Sequence, residues 1–305
     1  MKIYSNANLV RKHRKGVLAI GNFDGIHLGH QKVIIDAKKK AEKNKLPFGI
    51  MTFEPVPVMF FDRRIKNHRI NSLYQKINQF KKFKLDFLII IKFDKKFSKL
   101  SADQFIEKII FKKTNCRYLY VSKNFRFGYK RKGSIKTLKK FEKKFNYKNS
   151  IITPFKKKNK LISSTLIRKK IREGKIAVVN KLLNRNWVVD GKVIRGNKRG
   201  RKIGFPTCNL KMGNYIVPRL GVYAVKVKSS NFNKMGVANI GYRPTFNGQS
   251  LLLETNIFGI NKNLYNKVIS VSFKKFIRGE KKFKDIEYLK KQIKIDIKQA
   301  KKNYV

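Results

Sequence analysis

Short apolar runs alternate with helical patterns in the first half of the 305-residue chain. Some runs are strongly β-branched, as in Phe87–Phe93 (FLIIIKF), which is typical of a strand buried in a parallel sheet. Strands that alternate with helices form crossover units, so this half predicts an α/β domain. The predicted strands are Val17–Ile20, Phe48–Phe53, Phe87–Phe93 and Arg117–Val121, and the predicted helices are His30–Asn44, Ser72–Lys84 and Ser101–Phe111, the last beginning with a Ser101–Gln104 capping-box pattern.

The pattern changes near residue 185, after a helical stretch over Ser164–Leu183. Short strand-like runs then follow one another with Gly, Pro and Asn between them, which predicts an antiparallel barrel or sandwich. Ile286–Lys302 again has helical spacing. We therefore expect one domain over residues 1–184 and a second over 185–305. The predicted strands of the second domain are Trp187–Ile194, Gly221–Lys228, Lys234–Ile240, Leu251–Phe258 and Val268–Phe276.

Composition fits two folded domains, because 42% of the residues are hydrophobic and 12% are aromatic. Two cysteines exclude a disulfide scaffold and favour a reducing compartment. The N-terminal residues lack the apolar stretch of a signal peptide, and no run approaches the roughly 18 apolar residues that would span a bilayer. We therefore expect a cytoplasmic protein that does not bind membranes.

Charge is the most unusual property of the chain, since 75 Lys and Arg against 17 Asp and Glu give a net charge of +58. Such a field attracts anions and, at low salt, nucleic acid. The excess is mostly lysine, spread through the chain with the Asn, Ile, Phe and Tyr that AT-rich codons favour. A nucleic-acid surface more often gathers arginines, whose planar forks match phosphates and base edges. We expect anionic small-molecule substrates and no specific nucleic acid.

The first chemical motif is a glycine-rich turn between the first predicted strand and helix, with the sequence GNFDGIHLGH from Gly21 to His30. Glycines let the backbone approach a ligand, and a helix N-terminus offers N–H groups and positive dipole charge to phosphate. His27 and His30 lie three residues apart, so both can face one ligand and hydrogen-bond triphosphate oxygens. The alternative is a structural turn in which the histidines cap the helix. The turn predicts nucleotide contacts from Gly21, Asn22, Phe23, Asp24, Gly25 and Gly29.

A second phosphate-binding element is predicted where another helix begins, at Ser164 and Thr165. Hydroxyl and N–H groups at that point can face phosphate, and Arg168, one turn later, can present a planar fork. Taken alone, this string is an ordinary helix cap. Its combination with the histidine motif favours a binding role.

The third motif is the segment GNKRGRKIGFPTCN, from Gly196 to Asn209, whose glycines suit a flexible flap over a nucleotide. Thr207 and Asn209 lie two residues apart, so an extended segment places both side chains on one face. Their oxygens are hard donors suited to Mg²⁺. Glu254 lies in an apolar strand pattern, where a carboxylate is costly unless it has a partner or a task. The alternatives are a glycine-rich hairpin and a surface-facing glutamate.

Together these blocks resemble the bacterial bifunctional riboflavin kinase/FMN adenylyltransferase family, also called FAD synthetases. The histidine turn resembles the nucleotidyltransferase H-x-G-H signature. The third motif resembles the riboflavin kinase block, with Cys208 at the usual alanine. The resemblance implies a Rossmann-like nucleotidyltransferase domain with a parallel sheet, then an antiparallel β-barrel kinase domain with a C-terminal helix. Other matching blocks are Thr52–Pro55, Asn124–Gly128, Ile162–Arg168, Val217–Tyr223, Asn239–Phe246, Leu252–Phe258 and Phe276–Glu280, so the resemblance covers nearly the whole chain.

The family implies two reactions: ATP phosphorylates riboflavin to FMN, and ATP then adenylates FMN to FAD with release of pyrophosphate. Mg²⁺ is the implied cofactor, and ATP, riboflavin and FMN are the implied substrates. The resemblance makes Glu254 the base for the 5′-hydroxyl of riboflavin and has the Arg278–Glu280 region close over flavin, although Arg278 and Glu280 could equally form an exposed charge pair. The remaining implied contacts are Gly200, Arg201, Gly204, Phe205 and Pro206 for nucleotide, and Asn124 and Arg126 for flavin, although these last two could contact the nucleotide instead.

Several positions depart from the family pattern. They are Val56 for a usual His, Ser122 for Gly, Asn124 for Asp, Asn256 for His and Asn266 for Gly. None of them removes a candidate catalytic or metal-binding residue, so we predict both activities. Two alternatives remain open: an enzyme that keeps only the kinase step, and an RNA-binding protein on a relic nucleotidyltransferase scaffold. The oligomeric state is left open.

Overall fold

The computed structural model describes residues 1–153, 156–157, 160–196, 199–245, 248–260 and 262–302. Residue contacts divide the chain into two compact units. The first is Met1–Lys66 with Leu73–Ser163, and the second is Asn67–Ser72 with Ser164–Val305. The functional boundary between residues 184 and 185 stays a prediction. Three residues of the motif blocks, Asn197, Lys198 and Phe246, lie outside the described residues.

A six-stranded parallel sheet forms the centre of the first unit, as predicted, in the order β1-β4-β3-β2-β5-β6. From β2 the chain proceeds to β3 and β4 on one side and later to β5 and β6 on the other. Open α/β sheets bind ligands at the carboxyl ends of strands beside such a switch point. The strands are β1 (Lys2–Tyr4), β2 (Val17–Ile20), β3 (Phe48–Glu54), β4 (Phe87–Lys92), β5 (Tyr118–Ser122) and β6 (Lys148–Ile152).

Each face of this sheet has its own apolar core, because successive strand residues point to opposite faces. Leu18 packs in one cluster with Ile106 and Ile110, whereas its neighbour Ala19 packs in the other with Ile34.

Helices connect the strands of the first unit. The α-helices are α1 (Leu28–Lys43), α2 (Pro57–Phe61), α3 (Leu73–Lys81), α4 (Lys95–Ser98), α5 (Ala102–Phe105), α6 (Ile135–Lys140) and α7 (Glu142–Phe145). The unit also contains a π-helix at Ile106–Thr114, 3₁₀ turns at Arg11–His13 and Tyr129–Arg131, and the short strands β7 (Lys156–Lys157) and β8 (Lys160–Leu161).

Six antiparallel strands form a closed barrel in the second unit, in the order β10-β13-β12-β11-β14-β9. Of the two antiparallel architectures that the sequence allowed, the barrel is therefore the one found. The strands are β9 (Val188–Ile194), β10 (Cys208–Lys211), β11 (Gly221–Lys228), β12 (Asn233–Thr245), β13 (Gly248–Ile257) and β14 (Val268–Arg278).

The helices of the second unit flank the barrel. The predicted helix over Ser164–Leu183 is two helices, α8 (Ser164–Arg172) and α9 (Ile176–Leu183), because Gly174 between them adopts a φ of +71°. The segment predicted to form a flap contains α10 (Arg199–Lys202), and α11 (Ile286–Lys302) has the predicted bounds. Ala300 of α11 packs in one apolar cluster with Val222, Ala224 and Val237, so this helix covers part of the barrel's outer face.

Candidate functional site

The predicted phosphate-binding turn leaves the carboxyl end of β2 in an unusual backbone conformation. Phe23, Gly25 and Ile26 have φ angles of +48°, +85° and +39°. Non-glycine residues rarely adopt this left-handed region, so the surrounding packing must enforce it. The side chains of Phe23 and Ile26 supply that packing, since each is only 1% exposed in the core beneath the sheet edge.

Two side chains fix the backbone of the turn by hydrogen bonds. The carbonyl of Asn22 accepts hydrogen bonds from the hydroxyl of Thr52 and from the ammonium of Lys76, both at 3.1 Å. Lys76 is 1% exposed, and a buried ammonium is tolerated only where its donors are satisfied. The backbone of the turn is thus fixed before any ligand arrives.

The two histidines of the turn stack at the start of α1, with ring centroids 3.7 Å apart and planes inclined by 20°. His27 is the N-cap residue, and its Nδ1 accepts a 3.3 Å hydrogen bond from the backbone N–H of His30. Gly29 permits this arrangement, because a Cβ there would lie 3.1 Å from Cε1 of His27. The helix cap therefore exists, and it holds both imidazoles beside the N–H groups that a phosphate would use.

Asn124 and Arg126 follow β5, the strand next to β2. Both side chains are exposed, whereas the alternating Phe125 and Phe127 stack on each other with centroids 5.4 Å apart. Because the carboxyl ends of adjacent parallel strands meet at one edge, these two polar residues share the sheet edge of the histidine turn.

Ser164, Thr165 and Arg168 lie on the first turns of α8, in the second unit. Arg168 is 9% exposed, and its Nε donates a 2.9 Å hydrogen bond to the carbonyl of His68. This bond attaches the 67–72 segment to α8. The guanidinium is therefore held in a fixed position.

A cavity of about 990 Å³ lies against the barrel where α11 and the residues after β14 cover it. Residues that the sequence analysis predicted to bind substrates or metal line it from three distant parts of the sequence, together with Leu289, Ile293 and Asp296 of α11. The predicted residues that line it are Gly200, Phe205, Thr207, Asn209, Glu254, Arg278 and Glu280.

A smaller cavity of about 180 Å³ shares Thr207 and Asn209 with the larger one and adds Arg201 and Pro206. Gly204 lies in the turn between these residues, with a φ of +89°. Cys208 also lines the small cavity, and burial raises the pKa of its thiol to about 12. The cysteine that replaces the usual alanine is therefore a neutral thiol at physiological pH.

Strand register explains why the large cavity gathers these side chains. Asn209 of β10 pairs with Glu254 of β13, which pairs with Asn239 of β12. Asn239 pairs in turn with Val222 of β11, and Val222 pairs with Arg278 of β14. Directly opposed residues share a face of the sheet, so these five residues form one row across the barrel. All five line the cavity.

Asn209 has the properties of a cation ligand. It is 8% exposed, and its Oδ1 has no hydrogen-bond partner among the described residues. A buried amide oxygen without a partner is costly unless a ligand or water satisfies it. Thr207 supplies a second oxygen, and Asn256 donates a 2.7 Å hydrogen bond to the carbonyl of Pro206, which ties the segment to β13. These oxygens fit the hard donors that Mg²⁺ prefers.

Arg278 has a partner that the sequence did not reveal. Its Nε and Nη2 bind the carboxylate of Asp296 at 2.9 and 2.7 Å, and Gln292 donates to the same carboxylate at 2.9 Å. The Arg278 and Asp296 side chains are 16% and 4% exposed. Arg278 therefore does not form the exposed charge pair with Glu280 that the sequence also allowed. Its guanidinium binds Asp296 instead and so joins β14 to α11. The sequence offered only one sign that Asp296 is buried, which is its place beside apolar positions of the predicted helix.

We expect Asp296→Ala to lower the free energy of unfolding of the barrel by about 3–5 kcal/mol, because it leaves a buried guanidinium without its counter-ion. Trp187, the only tryptophan, is buried in the second unit and can report urea unfolding by fluorescence. Breaking the exposed Glu287–Lys290 pair with Glu287→Ala should leave the urea midpoint unchanged. Equal midpoints for both variants would show that the buried pair contributes little.

Comparison with known proteins gives consistent results for the two halves. The family described as FAD synthetase matches residues 9–166, and the family described as riboflavin kinase matches residues 183–304. A bifunctional riboflavin kinase/FMN adenylyltransferase of Buchnera aphidicola subsp. Schizaphis graminum is 40% identical over 97% of this chain and 96% of its own. A protein of the same name from Haemophilus influenzae is 39% identical over 93% of this chain and 92% of its own.

A solved structure has a similar fold over 98% of this chain. It is the crystal structure of a protein named for macrolide efflux from Streptococcus pneumoniae, with a TM-score of 0.86 and 29% identity over 98% of both chains. Its name differs from those of the sequence relatives. Within the described part of our chain, no helix combines the length and apolar character needed to cross a membrane.

Proposed function

The chain belongs to the bifunctional riboflavin kinase/FMN adenylyltransferase family, and on that premise we propose how its residues divide the two reactions. The enzyme phosphorylates riboflavin with ATP to give FMN and transfers AMP from ATP to FMN to give FAD. We assign adenylyl transfer to residues 1–184 and phosphorylation to residues 185–305. The observation that carries the kinase assignment is the convergence of Thr207, Asn209 and Glu254 in one cavity.

In the kinase reaction, Glu254 is the general base. Its carboxylate takes the proton of the riboflavin 5′-hydroxyl as that oxygen attacks the γ-phosphorus of ATP and the bond to the β-phosphate oxygen breaks, which leaves ADP. Thr207 and Asn209 would hold Mg²⁺, which neutralises phosphate charge when bound. Gly200, Arg201, Gly204, Phe205 and Pro206 form the nucleotide flap, with Arg278 and Glu280 on the flavin side.

In the adenylyl transfer, the histidine turn binds the triphosphate of a second ATP. A phosphate oxygen of FMN attacks the α-phosphorus, and the bond to the β-phosphate oxygen breaks, which releases pyrophosphate. His27 and His30 donate hydrogen bonds to the charge that develops there, and the start of α1 adds its dipole. Ser164, Thr165 and Arg168 bind phosphate, and Asn124 and Arg126 contact flavin. The fixed backbone of the turn supports this role, since catalysis by positioning needs a preorganised site.

The strongly basic composition is consistent with anionic substrates. All three substrates, ATP, riboflavin and FMN, are small molecules, and two of them are anions that a positive field attracts. We propose a cytoplasmic enzyme that binds no specific nucleic acid. Lysines that occur throughout the sequence favour this over an RNA-binding function.

A time course of flavin products tests the proposed function. Purified protein receives riboflavin, ATP and Mg²⁺, and chromatography separates riboflavin, FMN and FAD. We expect FMN to appear first and FAD to follow, and a chelator in excess to stop both products. FMN without FAD would leave only the kinase step, and no flavin turnover together with tight RNA binding at physiological salt would favour the RNA-binding alternative.

A further inference from the structure

Asn239 flanks Glu254 on the side opposite Asn209. Asn239 pairs directly with Glu254 across β12 and β13, just as Asn209 does across β10 and β13. Directly opposed residues have Cβ atoms about 4.5–5.5 Å apart on the same face. All three side chains line the 990 Å³ cavity. The carboxamide of Asn239 is therefore within reach of the Glu254 carboxylate.

The surroundings of Asn239 restrict its side chain. Its neighbours along the strand, Ala238 and Ile240, are 1% and 0% exposed, so the backbone on both sides is anchored in the barrel. On its other flank in the row lies Val222, which offers no polar side-chain atom. Glu254 is thus the polar side chain next to Asn239 within the row.

A neutral donor suits this place. A lysine or arginine beside the base would hold the carboxylate by its charge and reduce its readiness to take a proton. An amide N–H orients a carboxylate without adding charge. The charged side chains that line the same cavity are Arg195, Lys211, Arg278, Glu280, Lys281 and Asp296. Arg278 is bound to Asp296 and stands two strands from Asn239 in the row.

We propose that Asn239 is a positioning residue for riboflavin phosphorylation: its carboxamide N–H donates to the Glu254 carboxylate and aims it at the primary hydroxyl of the substrate. The inference rests on the proposed role of Glu254 as the base. Asn209 and Asn239 then divide the two sides of Glu254 between them. Asn209 faces the phosphates and Asn239 faces the acceptor.

The test compares Asn239→Ala and Asn239→Asp with Asn233→Ala, which changes an exposed asparagine on the same strand. The rate of FMN formation is measured at varied concentrations of riboflavin and of ATP, and conversion of supplied FMN to FAD is measured in the same preparations. We expect Asn239→Ala to lower the kcat for FMN formation about 10- to 100-fold, with KM for ATP changed less than about threefold. Asn233→Ala should match the unchanged enzyme in both reactions.

The split between kcat and KM separates positioning from a structural role. A residue that only aims the carboxylate should affect kcat much more than KM for riboflavin or ATP, whereas a disturbed cavity should weaken substrate binding as well. Asn239→Asp keeps the side-chain size but replaces the donor N–H with an acceptor, so it should lower kcat at least as much as Asn239→Ala. A kcat within about threefold of the unchanged enzyme in both variants would overturn the proposal, whatever happens to stability.

Glu254→Gln distinguishes this inference from the proposed function. If that variant is inactive as a kinase while Asn239→Ala keeps the full kcat for FMN formation, only the role of Asn239 is wrong. If Glu254→Gln itself forms FMN at the full rate, the assigned base and the inference built on it both fail.

Discussion

Glu254→Gln is expected to abolish FMN formation while supplied FMN is still converted to FAD. The substitution keeps the size of the side chain and its place between two asparagines, but removes the carboxylate that we propose as the acceptor of the riboflavin hydroxyl proton. General base catalysis contributes about 10²–10⁴-fold to a rate, so the loss should be of that order. Two assays measure it by chromatography, one with riboflavin and ATP and one with FMN and ATP.

A matched control uses a glutamate outside the cavity. Glu287 lies on α11, where its side chain is 70% exposed and pairs with Lys290. Glu287→Gln makes the same chemical change in the same unit and should alter neither reaction. A folded Glu254→Gln protein that loses both reactions equally would contradict two separate sites, and one that forms FMN normally would contradict the role of the carboxylate.

The strands and helices that the sequence located are those with a strong apolar pattern. Val17–Ile20 and Gly221–Lys228 have the predicted bounds because most of their side chains are buried on both faces, which gives a nearly continuous apolar run. The bounds of α11 were predicted because its apolar side chains repeat at helical spacing. The edge strands β1 and β6 were missed. β1 (KIY) has only three residues, of which two are exposed. β6 (KNSII) begins with three polar residues and has an exposed or partly buried side chain at each position. Neither strand therefore has a long apolar run. The break at Gly174 was also missed, since a single glycine does not always end a helix.

The candidate sites show a different limit of sequence reasoning. Motif spacing predicted that Thr207 and Asn209 share a face, and it singled out Glu254 as a costly carboxylate. It did not relate either to Asn239, because the distance between residues 209, 239 and 254 is set by strand register, which a single sequence does not encode locally. Asp296 was missed for the same reason, since its partner Arg278 lies on another element.

Replacing both His27 and His30 with alanine is expected to block FAD formation while FMN accumulates. The stacked imidazoles lie at the start of α1, and removal of one preorganised donor to a developing charge costs about 10²–10³-fold in other enzymes. The described residues that line the 990 Å³ cavity all belong to the second unit, so FMN formation should continue in the same preparation. Chromatography of a riboflavin reaction would then show FMN rising to a plateau without FAD.

The alanine variant alone does not distinguish chemistry from folding, because His27 also caps α1 through Nδ1. Loss of a cap costs about 1 kcal/mol, which is enough to disturb the turn that the cap completes. Asn is among the best N-cap residues, so His27→Asn keeps an acceptor for the His30 N–H but removes the imidazole. If the imidazole acts on the triphosphate, His27→Asn should also lose FAD synthesis. If His27→Asn restores full FAD synthesis, His27 acts only as a cap, and the positive end of α1 rather than this ring stabilises the leaving pyrophosphate.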